Sequence, residues 1–308
     1  MRLSVQEFWL PKKGNPVEEY EDAFSHSLVD CRFAVADGAT ESAFADRWAK
    51  SLVSKFIAQP PFASVAAAEL PQWLVPIQRE WQEGIDWDHL PWFSESKARS
   101  GAFATIIGLE FSRAGSHDHL LQDEHALQEQ VENMELPGMG LRWHALAIGD
   151  SCLFQIRADR LFEAFPLRHA LEFNSRPVLV SSNPTSNARV WEEVSYTEGE
   201  TQPDDIFFLA TDALSQWFLA AHESGKKPWE LLCGLKTNDE FASFVSQLRE
   251  GRLMRNDDTT LLTIRLNEDG APSVAQAERQ SQGEQEAHSA CGADQESAAR
   301  VDNSENVP

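Results

Sequence analysis

Several common devices are scarce or missing in this 308-residue chain. It has 4 cysteines, Cys31, Cys152, Cys233 and Cys291, and none forms a C-x-x-C pair. Their spacing argues against zinc and against a disulfide framework, so reduced thiols in a cytoplasm are expected. No apolar run is long enough to span a bilayer, and the opening MRLSVQEFWLPKKG has no long apolar signal core. The chain therefore reads as soluble. Basic charge is also short: Lys+Arg 26 against Asp+Glu 49 gives a formal net charge of −23. That balance excludes the basic footprint of a nucleic-acid binder and disfavours docking on an anionic membrane. Neither a Gly-rich phosphate loop nor an internal repeat is present, and no Ser, Cys or His nucleophile stands out.

The hydrophobic content, 42%, is enough for a real core. After Leu266 the composition turns polar and rich in Gln, Glu, Ser and Ala. Such a stretch cannot bury enough surface to offset its ordering entropy. Residues 1–267 are therefore expected to form one globular domain and residues 268–308 a disordered tail. Within the domain, CRFAVA, FATIIGLEF, LRWHALAIG, DIFFLAT and TTLLTIRL read as strands. LFQIRADRLFEAF reads as a hairpin turning at Ala158-Asp159, with Arg157 and Arg160 as surface charge. Apolar residues at helical spacing predict helices over 41–58, ended by Pro60-Pro61, and near 64–84, where Pro76 falls inside. Two helical segments occupy 228–250. Strands and helices come in pairs, which suggests α+β layers rather than βαβ alternation.

One pattern recurs along these strands. Asp37 ends RFAVA and is followed by Gly38. Asp150 ends HALAIG, and Asp212 ends IFFLAT. Asp257 and Asp258 precede TTLLTIRL, and Glu21 and Asp22, in EYEDAF, lie before the first strand. One acid beside a strand is a turn, as Asp-Gly often is. Several such acids suggest strand ends that converge, where like charges need a cation between them. A site of oxygen ligands suits Mg²⁺ or Mn²⁺ rather than zinc. Gly38 permits a sharp turn and exposes its carbonyl.

In this order, EYEDAF, VADGAT, SGAFATIIGL, AIGDSCLFQIR, FFLATDALSQW and NDDTTLLTI resemble the motifs of the PPM-type (type 2C) metal-dependent Ser/Thr protein phosphatases, over about residues 15–266. The resemblance implies a four-layer α-β-β-α sandwich, two antiparallel sheets flanked by paired helices. It implies hydrolysis of phosphoserine and phosphothreonine by a water activated between two Mn²⁺ or Mg²⁺ ions. Carried over by motif, Asp37 bridges both ions, and the Gly38 carbonyl, Asp212 and Asp257 complete direct coordination. Asp22 contacts metal-bound water, Asp150 helps a third ion, and Glu21, Asp258 and Thr260 stand behind the ligands; Asp257 and Asp258 are able to exchange roles. The implied partners are a phosphoprotein substrate and an opposing Ser/Thr kinase, and the expected state is a cytoplasmic monomer.

The chain departs from these motifs in places. Ala213 follows the metal aspartate where Gly is usual, and Gln216 stands where an Asp often assists a third ion. Cys152 replaces an Arg, and Phe103 a small hydroxyl residue. No His follows Gly38, and the first motif has no phosphate-binding Arg; Lys12 and Lys13 are the nearby candidates. The segment 166–194 falls where the family has a flap beside the active site, with His169, Arg176 and Arg189 able to touch substrate. The histidines 117, 119 and 125, with Asp118 and Asp123, read as a solvated insertion. Two rival functions accompany this reading: a non-catalytic binding module and a hydrolase of small phosphoesters.

Overall fold

The computed structural model describes residues 2–62, 70–113, 141–174 and 176–267. The predicted tail and most of the polar insertion, with its histidines, lie outside the described residues. The chain begins with strand β1 (Arg2–Leu10), then β2 (Ala23–Ser27) and β3 (Arg32–Ala36). Helices α1 (Ala45–Ala58), α2 (Leu70–Glu83) and α3 (Trp92–Ser100) follow. Strands β4 (Phe103–Ala104), β5 (Ile106–Arg113), β6 (Leu141–Ile148), β7 (Cys152–Arg157), β8 (Arg160–Phe165) and β9 (Val180–Ser181) come next. The rest is α4 (Val190–Glu193), β10 (Ser195–Glu200), β11 (Ile206–Ala210), α5 (Asp212–Glu223), α6 (Pro228–Gly234), α7 (Asn238–Glu250) and β12 (Thr259–Asn267).

Two five-stranded sheets carry the fold, in the orders β1-β12-β11-β7-β8 and β10-β6-β5-β3-β2. Alternation along each strand explains why they stack. Phe207 and Leu209 of β11 enter the core between the sheets, with Phe33, Val35, Leu109, Ala145, Leu262 and Ile264. Their neighbours Phe208 and Ala210 face the other way, onto a core shared with Leu214, Phe218 and Trp229 of α5 and α6 and Phe241 of α7. On the far side, Ala34, Ile106 and Leu146 pack under Trp48, Leu52 and Phe56 of α1 and Leu74 of α2. Three separate cores make four layers, α-β-β-α, as the motif resemblance implied.

The local expectations hold with shifted boundaries. Helix α1 starts at Ala45 rather than residue 41, because Phe44 takes a left-handed backbone with φ 60°. FATIIGLEF splits at Thr105 into β4 and β5. Ala158 and Asp159 both have positive φ, the geometry of a two-residue hairpin turn. At Gly108 a methyl group would stand 2.2 Å from the Phe56 ring, so the glycine lets α1 lie close on β5. One reading is corrected: Arg160 is exposed, but Arg157 is not a surface charge. Its guanidinium is paired with the fully buried Asp205, at 2.9 and 2.7 Å.

Candidate active site

Antiparallel register brings the acids to one end of the sandwich. Ala36 pairs with Ala23, Ile106 with Ile148, and Ala210 with both Leu261 and Cys152. The residues just beyond those pairs are Asp37, Asp22, Asp150, Asp212, Asp257 and Asp258. Asp37, Gly38, Asp150, Asp212 and Asp257 line one cavity of about 710 Å³. Asp22 and Asp258 lie deeper, 1% and 5% exposed, and neither Glu21 nor Thr260 lines the cavity.

Each acid is held by a distinct device. The Asp37 backbone is fixed on both sides: its N–H donates to Thr105 Oγ1 at 3.2 Å and its carbonyl accepts from Thr105 N–H at 2.8 Å. Gly38 is forced at its position, since a Cβ there would meet the Glu21 carbonyl oxygen at 2.6 Å and Ala45 at 3.0 Å. Asp212 opens helix α5, where the helix dipole favours a carboxylate. Asp258 is spent on the backbone: its two oxygens accept the N–H groups of Lys12 and Glu21, each at 2.8 Å. It ties the β1–β2 connection to the start of β12, which leaves the cavity to Asp257.

Asp22 sits behind them. Its Oδ2 accepts the Thr260 hydroxyl at 2.7 Å, and the Tyr20 hydroxyl bonds that same Thr260 oxygen. A hydroxyl has one proton, so when Thr260 donates to Asp22, Tyr20 must donate to Thr260. Thr211 Oγ1 accepts the Thr260 N–H at 3.0 Å. Tyr20 had no sequence signal beyond its place in the first motif.

The charge is far from compensated. Burial raises Asp22 to about 8, with Asp258 and Asp257 adding to the shift. Burial and then Asp22, Asp257 and Asp150 push Asp37 well above the carboxylate range. Burial raises Asp150 to about 6 despite the opposing pull of Arg255. Glu21 is raised by burial as well, against Thr40 and Lys12. Buried oxygens of Glu21, Asp22, Asp150 and Asp212 have no hydrogen-bond partner, a costly state for carboxylates. The cationic side chain inside the group is Arg255, also missed by sequence reasoning; its guanidinium pairs with Asp212 and lies 3.7 Å from Asp257. Burial pushes the neighbouring Cys152 thiol well up, so it is no nucleophile.

This donor set is chemically suited to hard divalent cations: oxygen ligands only, several of them unpartnered and mutually repelling. Among the described residues, however, no three His, Cys, Asp or Glu side chains are drawn together at metal-holding distance. Arg255 stands between two of the acids, Asp212 and Asp257. Other basic candidates fall out of the site. Lys12 Nζ meets Thr40 Oγ1 at 3.1 Å and Glu21 at 3.8 Å, while Lys13 pairs with exposed Glu250. His169 pairs with Glu223 and Arg189 with Glu193, whereas Arg176 lines the cavity.

A two-sheet sandwich with flanking helices and acids at one end of the sheets is the fold of PPM-type Ser/Thr phosphatases. Three solved structures illustrate the likeness. The Mycobacterium tuberculosis serine/threonine phosphatase PstP/Ppp superposes with a TM-score of 0.53 at 15% identity, covering 87% of this chain and 100% of that one. A bacterial serine phosphatase gives 0.53 at 13% identity over 88% and 100%. Staphylococcus aureus Stp1, a serine/threonine phosphatase, gives 0.52 at 13% identity over 87% and 96%. No protein-family model matches the chain, and no curated protein matches it. At such identities the likeness is one of fold. Among the described residues, no helix is long and apolar enough to cross a membrane.

Proposed function

We propose that this protein is a metal-dependent phosphoprotein phosphatase that hydrolyses phosphoserine and phosphothreonine. One observation carries the reading: carboxylates from four strand ends, Asp37, Asp150, Asp212 and Asp257, line one cavity with buried Asp22 behind them, and oxygens of Asp22, Asp150 and Asp212 have no hydrogen-bond partner. Asp37, the Gly38 carbonyl, Asp212 and Asp257 are the residues that would hold two Mn²⁺ or Mg²⁺ ions, with Asp22 and Asp150 the further acids in reach. When bound, such a pair activates water and neutralises charge on the phosphoryl oxygens. The chain itself supplies the rest. Thr260 and Tyr20 fix the orientation of Asp22. Asp258 locks the backbone of residues 12 and 21 against β12. Thr105, bonded to Ser151 at 2.7 Å, braces the Asp37 turn. In this reading residues 1–267 are the catalytic domain and 268–308 a polar tail, and the enzyme is a cytoplasmic monomer opposing a Ser/Thr kinase. The thiols of Cys152 and Cys233, which form no disulfide among the described residues, fit a reducing compartment.

Manganese titration during hydrolysis of an aryl phosphate tests the reading, followed by phosphopeptides against phosphorylated metabolites. The expected result is metal-stimulated turnover that favours phosphopeptides. A second reading, a non-catalytic module that binds phosphorylated partners, is favoured by Arg255 standing between Asp212 and Asp257. Absence of metal-stimulated turnover, with Asp212→Asn no worse than wild type, selects the module.

A further inference from the structure

The cavity is lined by more than its acids. Lys97 of α3 and Arg176, which follows the turn after β8, contribute to its wall together with Arg255. Acids outnumber bases nearly two to one in this chain, and many described cations have taken a carboxylate partner, as in Lys50–Asp46, Arg79–Glu83 and Arg142–Glu198. Arg99, two residues from Lys97, is held by Glu95 on the same helix at 2.7 Å. Among the described residues, Lys97 and Arg176 belong to no ion pair, and both are exposed. Other cations outside the ion pairs, such as Arg160 at the start of β8 and Lys236 between α6 and α7, do not line the cavity; these two share it.

Two further facts give the pair a use. The cavity, about 710 Å³, is larger than a phosphorylated side chain needs, so neighbouring residues of a peptide enter it as well. The protein's net charge of −23 repels acidic peptides at long range, so only local cations can admit one. Arg255 is engaged by Asp212 and Asp257, next to where the phosphoryl group would be held; Lys97 and Arg176 are left for a second anionic group. Glu41 also lines the cavity and sets a limit, because an acid placed beside it is repelled.

We infer that the pocket selects phosphorylated residues flanked by acidic residues, and that Lys97 and Arg176 read the flank. This rests on the phosphatase reading above. The test compares three phosphothreonine peptides, flanked by Glu, by Gln and by Lys, in manganese-dependent hydrolysis and in fluorescence-anisotropy binding to the full chain. The Glu-flanked peptide is expected to lead the Gln-flanked one by about 10-fold at low salt, about 3-fold for each exposed pair. The lead should collapse by 0.5 M salt, where the screening length has shortened to about 4 Å. In the Lys97→Glu/Arg176→Glu double variant the order should invert, and in Lys97→Gln/Arg176→Gln it should flatten. Equal binding of the three peptides by wild type, or an order untouched by charge reversal, overturns the inference. Failure of the parent reading looks different: aryl phosphate goes unhydrolysed with manganese, while the binding order still decides the role of Lys97 and Arg176.

Discussion

Asp205 precedes β11 and Asp212 follows it, so one strand carries a buried carboxylate at each end. At the first end both carboxylate oxygens are answered. Asp205 is 0% exposed, and it accepts Arg157 Nε at 2.9 Å, Arg157 Nη2 at 2.7 Å, Gln155 Nε2 at 2.8 Å and the Gln202 N–H at 2.9 Å. Arg157 is held in turn over the Phe162 ring at 4.2 Å. At the other end Asp212 has an unpartnered oxygen, its neighbours Asp22 and Asp150 have more, and one guanidinium serves the group. A chain able to satisfy a buried acid so fully at one end of a strand leaves several unsatisfied at the other. The first arrangement fixes the hairpin β7–β8 to the β10–β11 connection; the second stores unneutralised charge beside an open cavity, as a cation site requires.

The contrast can be broken by substitution. The largest effect is expected from Asp212→Asn, a fall of about 10³-fold in metal-stimulated hydrolysis, read as kcat/KM on an aryl phosphate. Next comes pH. Asp22, raised to about 8, and Asp150, raised to about 6, bind protons more tightly folded than unfolded. Ionising them penalises the native state, so in chelator stability should fall from pH ~4 to ~8 by a few kcal/mol, and manganese should remove the slope. Denaturant titrations across pH, with and without metal, check this; a metal-free stability that rises over that interval contradicts the assignment. Asp205→Ala leaves Arg157 without its carboxylate and should cost about 3 kcal/mol in unfolding free energy. It should leave kcat unchanged well below the melting temperature, the reverse of the Asp212 result. The smallest of the four is Gly38→Ala, about 2 kcal/mol from forcing a methyl against the Glu21 carbonyl, measured by denaturant melts.

Much of the fold was legible because the strands alternate on a period of 2 and both of their faces are apolar. RFAVA and DIFFLAT read as strands for that reason, and their terminal aspartates stood out against them. β1 was not legible: RLSVQEFWL is mostly half-buried, and it becomes a strand by pairing with β12 from Arg2↔Asn267 to Leu10↔Thr259. Helix α3 was missed because WFSESKARS carries little apolar periodicity. In the candidate site, Asp257 and Asp258 were interchangeable in sequence. The two backbone N–H groups that occupy Asp258 come from residues more than 230 positions away, so nothing local distinguished the pair.

The sequence by itself determined which segments are strands, where acids interrupt them, and that no basic surface or membrane-spanning run dominates, since these depend on neighbouring residues and on totals. Only the tertiary structure decided which acids keep unpartnered oxygens, that Arg255 and Tyr20 belong to the site, and that Lys97 and Arg176 meet at its wall. Those outcomes depend on contacts between residues distant in the chain, which form only when the antiparallel register of two sheets brings their ends together.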